Sequence, residues 1–403
     1  MRIVIFDDQS IGNFYPLTFT RSTGDMRVGI LKLRQRIAAF LGSDPHDIIV
    51  NKNLEKLYKE RHQDWKINDF AKEDAIYVNS RIKITEKLAD QILALSKESS
   101  LVSDNQIIAA RFYGDIADAD DFLEQINKIS QTETEAEFWN HTWEFIAENS
   151  EYIKKDFDDF FYDKDNFFET EMGVTVLDPY NIWLGDGCKI APGVIVDASE
   201  GPVILDENVT VMPNAVIIGP CYIGKNSKIK VAAKIYEGTT IGATCKIGGE
   251  VEESIISDFS NKQHDGFLGH SYLGEWVNLG ADTNNSDLKN NYGEVKIYDY
   301  VSKKKISSGT QFLGMIMGDH SKTGINSTIN TGTVVGVGCN LFGRSLISNF
   351  IPDFSWGEAD NLGSYRFEKF CETATRVKQR RDKVLTDCEK ELYKKISEKE
   401  FTL

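Results

Sequence analysis

Leu205, Val211, Ile217, Ile223, Ile229, Ile235, Ile241 and Ile247 follow one another at an unbroken interval of six residues. Two positions earlier in each unit stand Val203, Val209, Ala215, Cys221, Ser227, Ala233, Thr239 and Cys245, all small or β-branched. A unit therefore has one large and one small inward slot. Six residues are too few for a helical repeat and suit a short strand plus a corner, with Gly or Asn supplying left-handed corner conformations. Gly219, Gly224, Gly238, Gly242 and Gly248 read as such corners. Three strands closing a triangular coil would stack these aliphatic residues in columns, each coil burying the face of the next. The spacing thus predicts a left-handed parallel β-helix, and its strictness counts against a β-sandwich or a right-handed β-helix.

The register begins with Leu184, Ile190 and Val196, slips through 198–202, and resumes as Phe267, Leu273 and Leu279 and again as Ile329, Val335, Leu341 and Ile347. Two interruptions, Glu250–Gly266 and Asp282–Ile306, read as loops ejected from the solenoid, where binding sites tend to be built. Ahead of the repeat, RIVIF, DIIV and AIYV look like short buried strands, while Met26–Phe40 and Glu86–Lys97 carry helical periodicity. This predicts an α/β domain over 1–172, the β-helix over 173–352, and a loop with a C-terminal helix over 353–403. The acidic, aromatic stretch Asp115–Glu171 reads as a solvated helical surface.

A formal net charge of −16 argues against nucleic acid as a partner. Apolar runs are too short for a membrane span or a signal peptide, which points to a cytoplasmic protein. The six cysteines form no CxxC, and Cys188, Cys221, Cys245 and Cys339 share the small slot of the repeat, so they read as packing residues with no metal site implied.

The segment SNKQHDGFLGHSYLGEWVNLGADTNNSDLKNNYG, 260–293, resembles the acetyltransferase half of the bifunctional GlmU family, which joins a nucleotidyltransferase α/β domain to a left-handed β-helix. The resemblance implies an acetyl-CoA-dependent homotrimer acting on a sugar phosphate or nucleotide-linked sugar. It places the family's catalytic histidine on His264, fourteen residues before an asparagine at Asn278, and a serine near the thioester on Ser308. A histidine suits the chemistry, since attack by an amine on a thioester requires a proton to be removed near neutral pH. The family's tyrosine is Phe267 here, so a phenolic contact to the substrate is lost or moved to Tyr272. A family asparagine becomes Asp287, with Asn290 and Asn291 close by, and Lys234 is one of several lysines that can replace a missing phosphate-binding lysine. His270 and His320 are the alternatives to His264 as base, and Lys378, Arg380 and Arg381 are candidates to meet a coenzyme phosphate.

The N-terminal domain departs from active sugar nucleotidyltransferases. Their glycine-rich loop is replaced by FDDQSIGNFYPLTFTRSTGDMRVGI. Asp7, Arg21, Arg27 and Asn79 stand near strand ends, where ligands usually bind in open α/β sheets, so a nucleotide with Mg²⁺ is a candidate there. Three readings follow: an acyltransferase with His264 as base; a nucleotidyltransferase trimerised by the β-helix; and a non-catalytic sugar-nucleotide-binding protein.

Overall fold

The computed structural model describes every residue except 71, 115, 163–165, 167 and 402–403. The α/β domain is built on a seven-stranded sheet. Its parallel strands Arg2–Phe6, Asp47–Ile49 and Ala75–Asn79 are the three apolar runs of the sequence. The sheet then continues into an antiparallel hairpin, Ser99–Ser103 and Gln106–Phe112, that the sequence pattern did not single out. The helical periodicities yield shorter helices than expected, Leu33–Leu41 and Glu86–Leu93. Between residues 9 and 25 the chain instead forms three short 3₁₀ turns, Gln9–Phe14, Leu17–Phe19 and Thr23–Asp25.

From Thr175 the chain winds as a left-handed parallel β-helix with three faces. Face I is a nine-stranded ladder running from Ile182–Leu184 to Phe350–Ile351. Face II starts at Lys189–Ile190 and face III at Thr175–Leu177. Register is kept throughout: Val203, Cys221 and Thr239 pair in succession on face I, and Thr210, Lys228 and Lys246 on face II. The interior is the column of aliphatic residues read from the sequence, with Ile217, Ile223, Ile229 and Ile241 wholly buried. The small slots stack as expected; Ser227 donates to the Gly242 carbonyl of the next coil at 2.8 Å. Ile229→Ala is expected to cost about 2–5 kcal/mol by opening a cavity in a column that cannot collapse. Urea unfolding measures it, and a loss under about 1 kcal/mol would mean the column relaxes freely.

Two sequence expectations are corrected. Among the five proposed corner glycines only Gly238 has a left-handed φ, +65°. A Cβ on Gly224 would lie 2.7 Å from the Gly242 carbonyl carbon, so that glycine is required by the approach of neighbouring coils rather than by its own dihedral. The left-handed corners are taken mostly by others, including Asn208, Asn214, Asn226 and Thr244. Further, Glu250–Gly266 is no ejected loop. It supplies strands to all three faces, Glu250–Glu252, Ile255–Ile256 and Asn261–Lys262, with shortened corners that break the six-residue count. The later interruption is real: an antiparallel hairpin, Lys296–Asp299 with Lys304–Ser307, leaves the coil between faces III and I.

The two domains are welded together. Helix Thr142–Phe160 lies along face I, burying Phe145, Ile146, Tyr152 and Phe157, so the acidic, aromatic stretch has a docking face as well as a solvated one. Outward-pointing Ile204, Tyr222, Ile255, Tyr272, Ile316 and Val334 meet it and the 3₁₀ segment. Asn149 ties three pieces at once, donating to the Gly238 carbonyl at 2.7 Å and to Thr240 at 3.0 Å while accepting from the Gly29 amide at 2.8 Å. The C-terminal segment forms two helices, Phe367–Gln379 and Asp387–Ser397, the second packed on helix Lys52–Arg61.

Candidate active site

Three histidines of the solenoid stand at its three different corners, and their surroundings separate them. His320 lies between faces I and II, where its ring stacks on Trp276 at 5.8 Å and meets the edges of Phe370 and Tyr393. Both its ring nitrogens are buried without a partner, and burial holds its pKa well below the usual histidine range. It is a packing residue. His270 lies between faces III and I, with Nδ1 2.8 Å from Asp287 Oδ2 and its ring stacked on Phe312 at 5.0 Å. His264 lies between faces II and III and is exposed.

What holds the His264 corner is unusual for a repeat interior. Lys262 occupies the inward slot that Ile247 fills one coil earlier, and only 2% of it is exposed. Its Nζ donates to the carbonyls of Gly248 and His264, each at 3.0 Å. Burial pushes its pKa down to about 8, with Asp265 and Glu250 opposing. The lysine thus clamps the backbone at the histidine from inside. Asn278 stands on face II in the next coil, bridged to Asn261 on one side and Lys322 on the other.

The remaining site residues divide. Lys234 is exposed on face III and pairs with Glu250 at 3.3 Å. Asp287, Asn291 and Ser308 gather around the ejected hairpin at the His270 corner, where Ser308 donates to the Val295 carbonyl at 2.8 Å. Tyr272 points away from solvent into the domain junction; its hydroxyl accepts from the Arg27 amide at 3.0 Å and is expended there. Sequence reasoning missed Glu253, beside His270, whose carboxyl is pushed up to about 7 by burial and by Glu237 and Glu252 against the opposing effect of His270. Within one chain, then, His264 stands at the corner that follows face II and Asn278 on face II one coil on, while Ser308, Asp287 and Asn291 belong to the segment around the hairpin.

In the α/β domain the candidate nucleotide ligands are bound internally. Arg21 reaches both Asp319 carboxylate oxygens, at 2.5 and 2.6 Å, across the domain junction, with Glu275 at 3.6 Å. Arg27 lies over the Tyr222 ring and donates to the Ile30 carbonyl. Asn79 donates to Asp8 at 2.9 Å and to the Ile107 carbonyl at 3.0 Å. Asp7 accepts from Ser22 and Ser80 at 2.9 and 2.8 Å. Asp8 is taken by Arg81, so the two carboxylates at these strand ends do not fit a Mg²⁺ site. Burial raises Asp7 to about 7, so its favourable contribution to stability is complete below the unfolded value near 4 and is lost as pH rises through 7. Asp7→Asn is therefore expected to gain stability relative to wild type at pH 8 and to lose that advantage by pH 4, which thermal melts at the two pH values would check.

Residues 3–163 match the family model described as sugar nucleotidyl transferase. The bifunctional sugar-1-phosphate nucleotidylyltransferase/acetyltransferase of Sulfurisphaera tokodaii is 35% identical over 165 residues, covering 40% of this chain and 39% of that protein. The bifunctional protein GlmU of Synechococcus elongatus is 28% identical over 201 residues, covering 45% of this chain and 40% of that protein. The chain spans about two fifths of the length of these curated relatives. A crystal structure of a UDP-N-acetylglucosamine acyltransferase aligns over 58% of this chain and 92% of its own, at 16% identity and a TM-score of 0.23. The chain thus joins an α/β domain that is similar to sugar nucleotidyl transferases to a parallel β-helix of hexapeptide repeats.

Proposed function

We propose that this protein is an acyltransferase that moves an acetyl group from acetyl-CoA to an amino sugar bearing phosphate, with the reaction at the His264 corner. The observation that carries the reading is that corner itself: an exposed imidazole whose backbone is braced from inside by Lys262. Bound acetyl-CoA would supply the thioester. His264 takes the proton from the acceptor amine as the amine nitrogen bonds the thioester carbonyl carbon, then returns it to the departing sulfur, so that free thiol and amide form together. Asn278, on face II in the next coil, orients the acceptor.

Ser308, Asp287 and Asn291 act with this corner if a second copy brings its hairpin edge alongside. A homotrimer is the assembly we propose for this. Sedimentation is expected to give a mass of three chains.

The match of residues 3–163 to a sugar nucleotidyl transferase model favours a second reading, nucleotidyl transfer by the α/β domain. The two are separated by incubating the protein with acetyl-CoA, a nucleoside triphosphate and a panel of amino-sugar phosphates, and following acetylated sugar and pyrophosphate in parallel. Acetylated sugar without pyrophosphate is the expected result; pyrophosphate alone would transfer the activity to the α/β domain and leave the β-helix as a scaffold.

A further inference from the structure

Five cations gather on face II immediately before the His264 corner in a chain whose net charge is −16. Lys228 and Lys246 pair in register on successive coils, and Asn261 follows Lys246 in the next, at the ~4.8 Å spacing of stacked strands. Lys230 lies beside them: its amide donates to the Ile247 carbonyl at 2.7 Å. A Cβ built on Gly248 would sit 3.1 Å from the Lys230 Cβ and 2.4 Å from the Gln263 carbonyl, so this line of residues leads directly to His264. From the turn between the two C-terminal helices come Arg380 and Arg381, the latter donating to the Asn261 side chain at 3.1 Å.

None of these five cations has an acid within ion-pair distance among the described residues, although elsewhere in the chain even exposed lysines such as Lys225 and Lys369 are paired. Asp382, in the same turn, is exposed, and Asp258, at the neighbouring corner, is engaged by the Ala243 amide at 2.8 Å. The crowding is felt: burial, then Arg381, Arg380, Lys228 and Lys230, lower the pKa of Lys246. Holding like charges together costs free energy that a bound anion would release. A single phosphate needs two or three such donors. Five, spread along three coils with two forked guanidiniums, match an anion with more than one phosphate group.

We infer that this cluster binds the clustered phosphates of a nucleotide, seated so that the rest of the molecule reaches His264. The inference rests on the acyl-transfer reading for its orientation. The phosphates can belong to the coenzyme donor or to a nucleotide-linked amino sugar acceptor.

Titration calorimetry on the full chain distinguishes the sources. The probes are coenzyme A, 3′-dephospho-coenzyme A, a UDP-linked amino sugar and glucosamine 1-phosphate, each against wild type, Lys246→Ala/Arg381→Ala and Lys228→Ala/Lys230→Ala. These solvent-facing positions leave the aliphatic column intact, and circular dichroism melts confirm folding of each variant. At least one nucleotide probe is expected to lose about tenfold or more in affinity in both double variants, with glucosamine 1-phosphate changing much less. Loss confined to coenzyme A, and weaker binding of its dephospho form, assigns the cluster to the donor; loss with the UDP-linked sugar assigns it to the acceptor. Nucleotide affinities unchanged in both variants, no nucleotide binding by wild type, or an equal loss for the monophosphate would each overturn the inference. If affinities are unchanged while thiol release still depends on His264, the cluster assignment fails and the acyl-transfer reading stands. If nucleotide affinity falls but His264→Ala keeps full turnover, the reverse holds.

Discussion

His264→Ala is expected to lower kcat for acyl transfer by about 10²–10⁴-fold, the range over which a positioned general base contributes, with the KM for the donor little changed. The imidazole is exposed and makes no side-chain hydrogen bond among the described residues, so the thermal midpoint of the variant should match wild type. The informative control is His270→Ala. That residue has the Asp287 partner at 2.8 Å that a His–carboxylate pair uses to fix its tautomer, yet it stands at a different corner of the coil. If His270→Ala loses activity while His264→Ala retains it, the base has been assigned to the wrong corner.

Asp319→Ala is expected to destabilise the chain by about 3–5 kcal/mol, the cost of leaving a buried charge without its partner. Asp319 receives both contacts from Arg21, a 2.7 Å hydrogen bond from the Thr20 hydroxyl, and the Glu275 amide at 2.8 Å. Its side chain is 3% exposed and that of Arg21 8%. Without it, Arg21 keeps, among the described residues, only the Glu275 carboxylate at 3.6 Å. The loss should appear in urea unfolding as a single transition shifted to lower denaturant, since the contact joins the α/β domain to the solenoid; a change under about 1 kcal/mol would show that the pair is dispensable to the junction.

The inward column of the β-helix was legible because each coil repeats the demand of the last: Ile229, Ile235 and Ile241 face the same neighbours. The docking of the α/β domain was not, although a trace of it is written at a longer period. Ile204, Tyr222 and Thr240 recur every eighteen residues and point outward on face I, while Lys228 and Lys246 recur at the same interval on face II. Reading the outward positions by face would have marked one side as covered and another as cationic. The Arg21–Asp319 pair, 298 residues apart, leaves no local sign at all. An arginine after a first strand is as consistent with phosphate as with an internal carboxylate, and only the fold decides. Lys262 illustrates the opposite limit: the shortened corners near 250 hid the fact that it occupies an aliphatic slot, and hence that it braces the residue two positions later from within.

Where ligand sits is the most direct test of the whole account. Amide hydrogen exchange with and without saturating acetyl-CoA and amino-sugar phosphate is predicted to slow at 228–231, 246–249, 261–266 and 380–383, and to stay unchanged at 6–8, 21–27 and 79–81. Protection confined to those three N-terminal segments would contradict it, placing the ligand at the strand ends of the α/β sheet and the chemistry away from the β-helix.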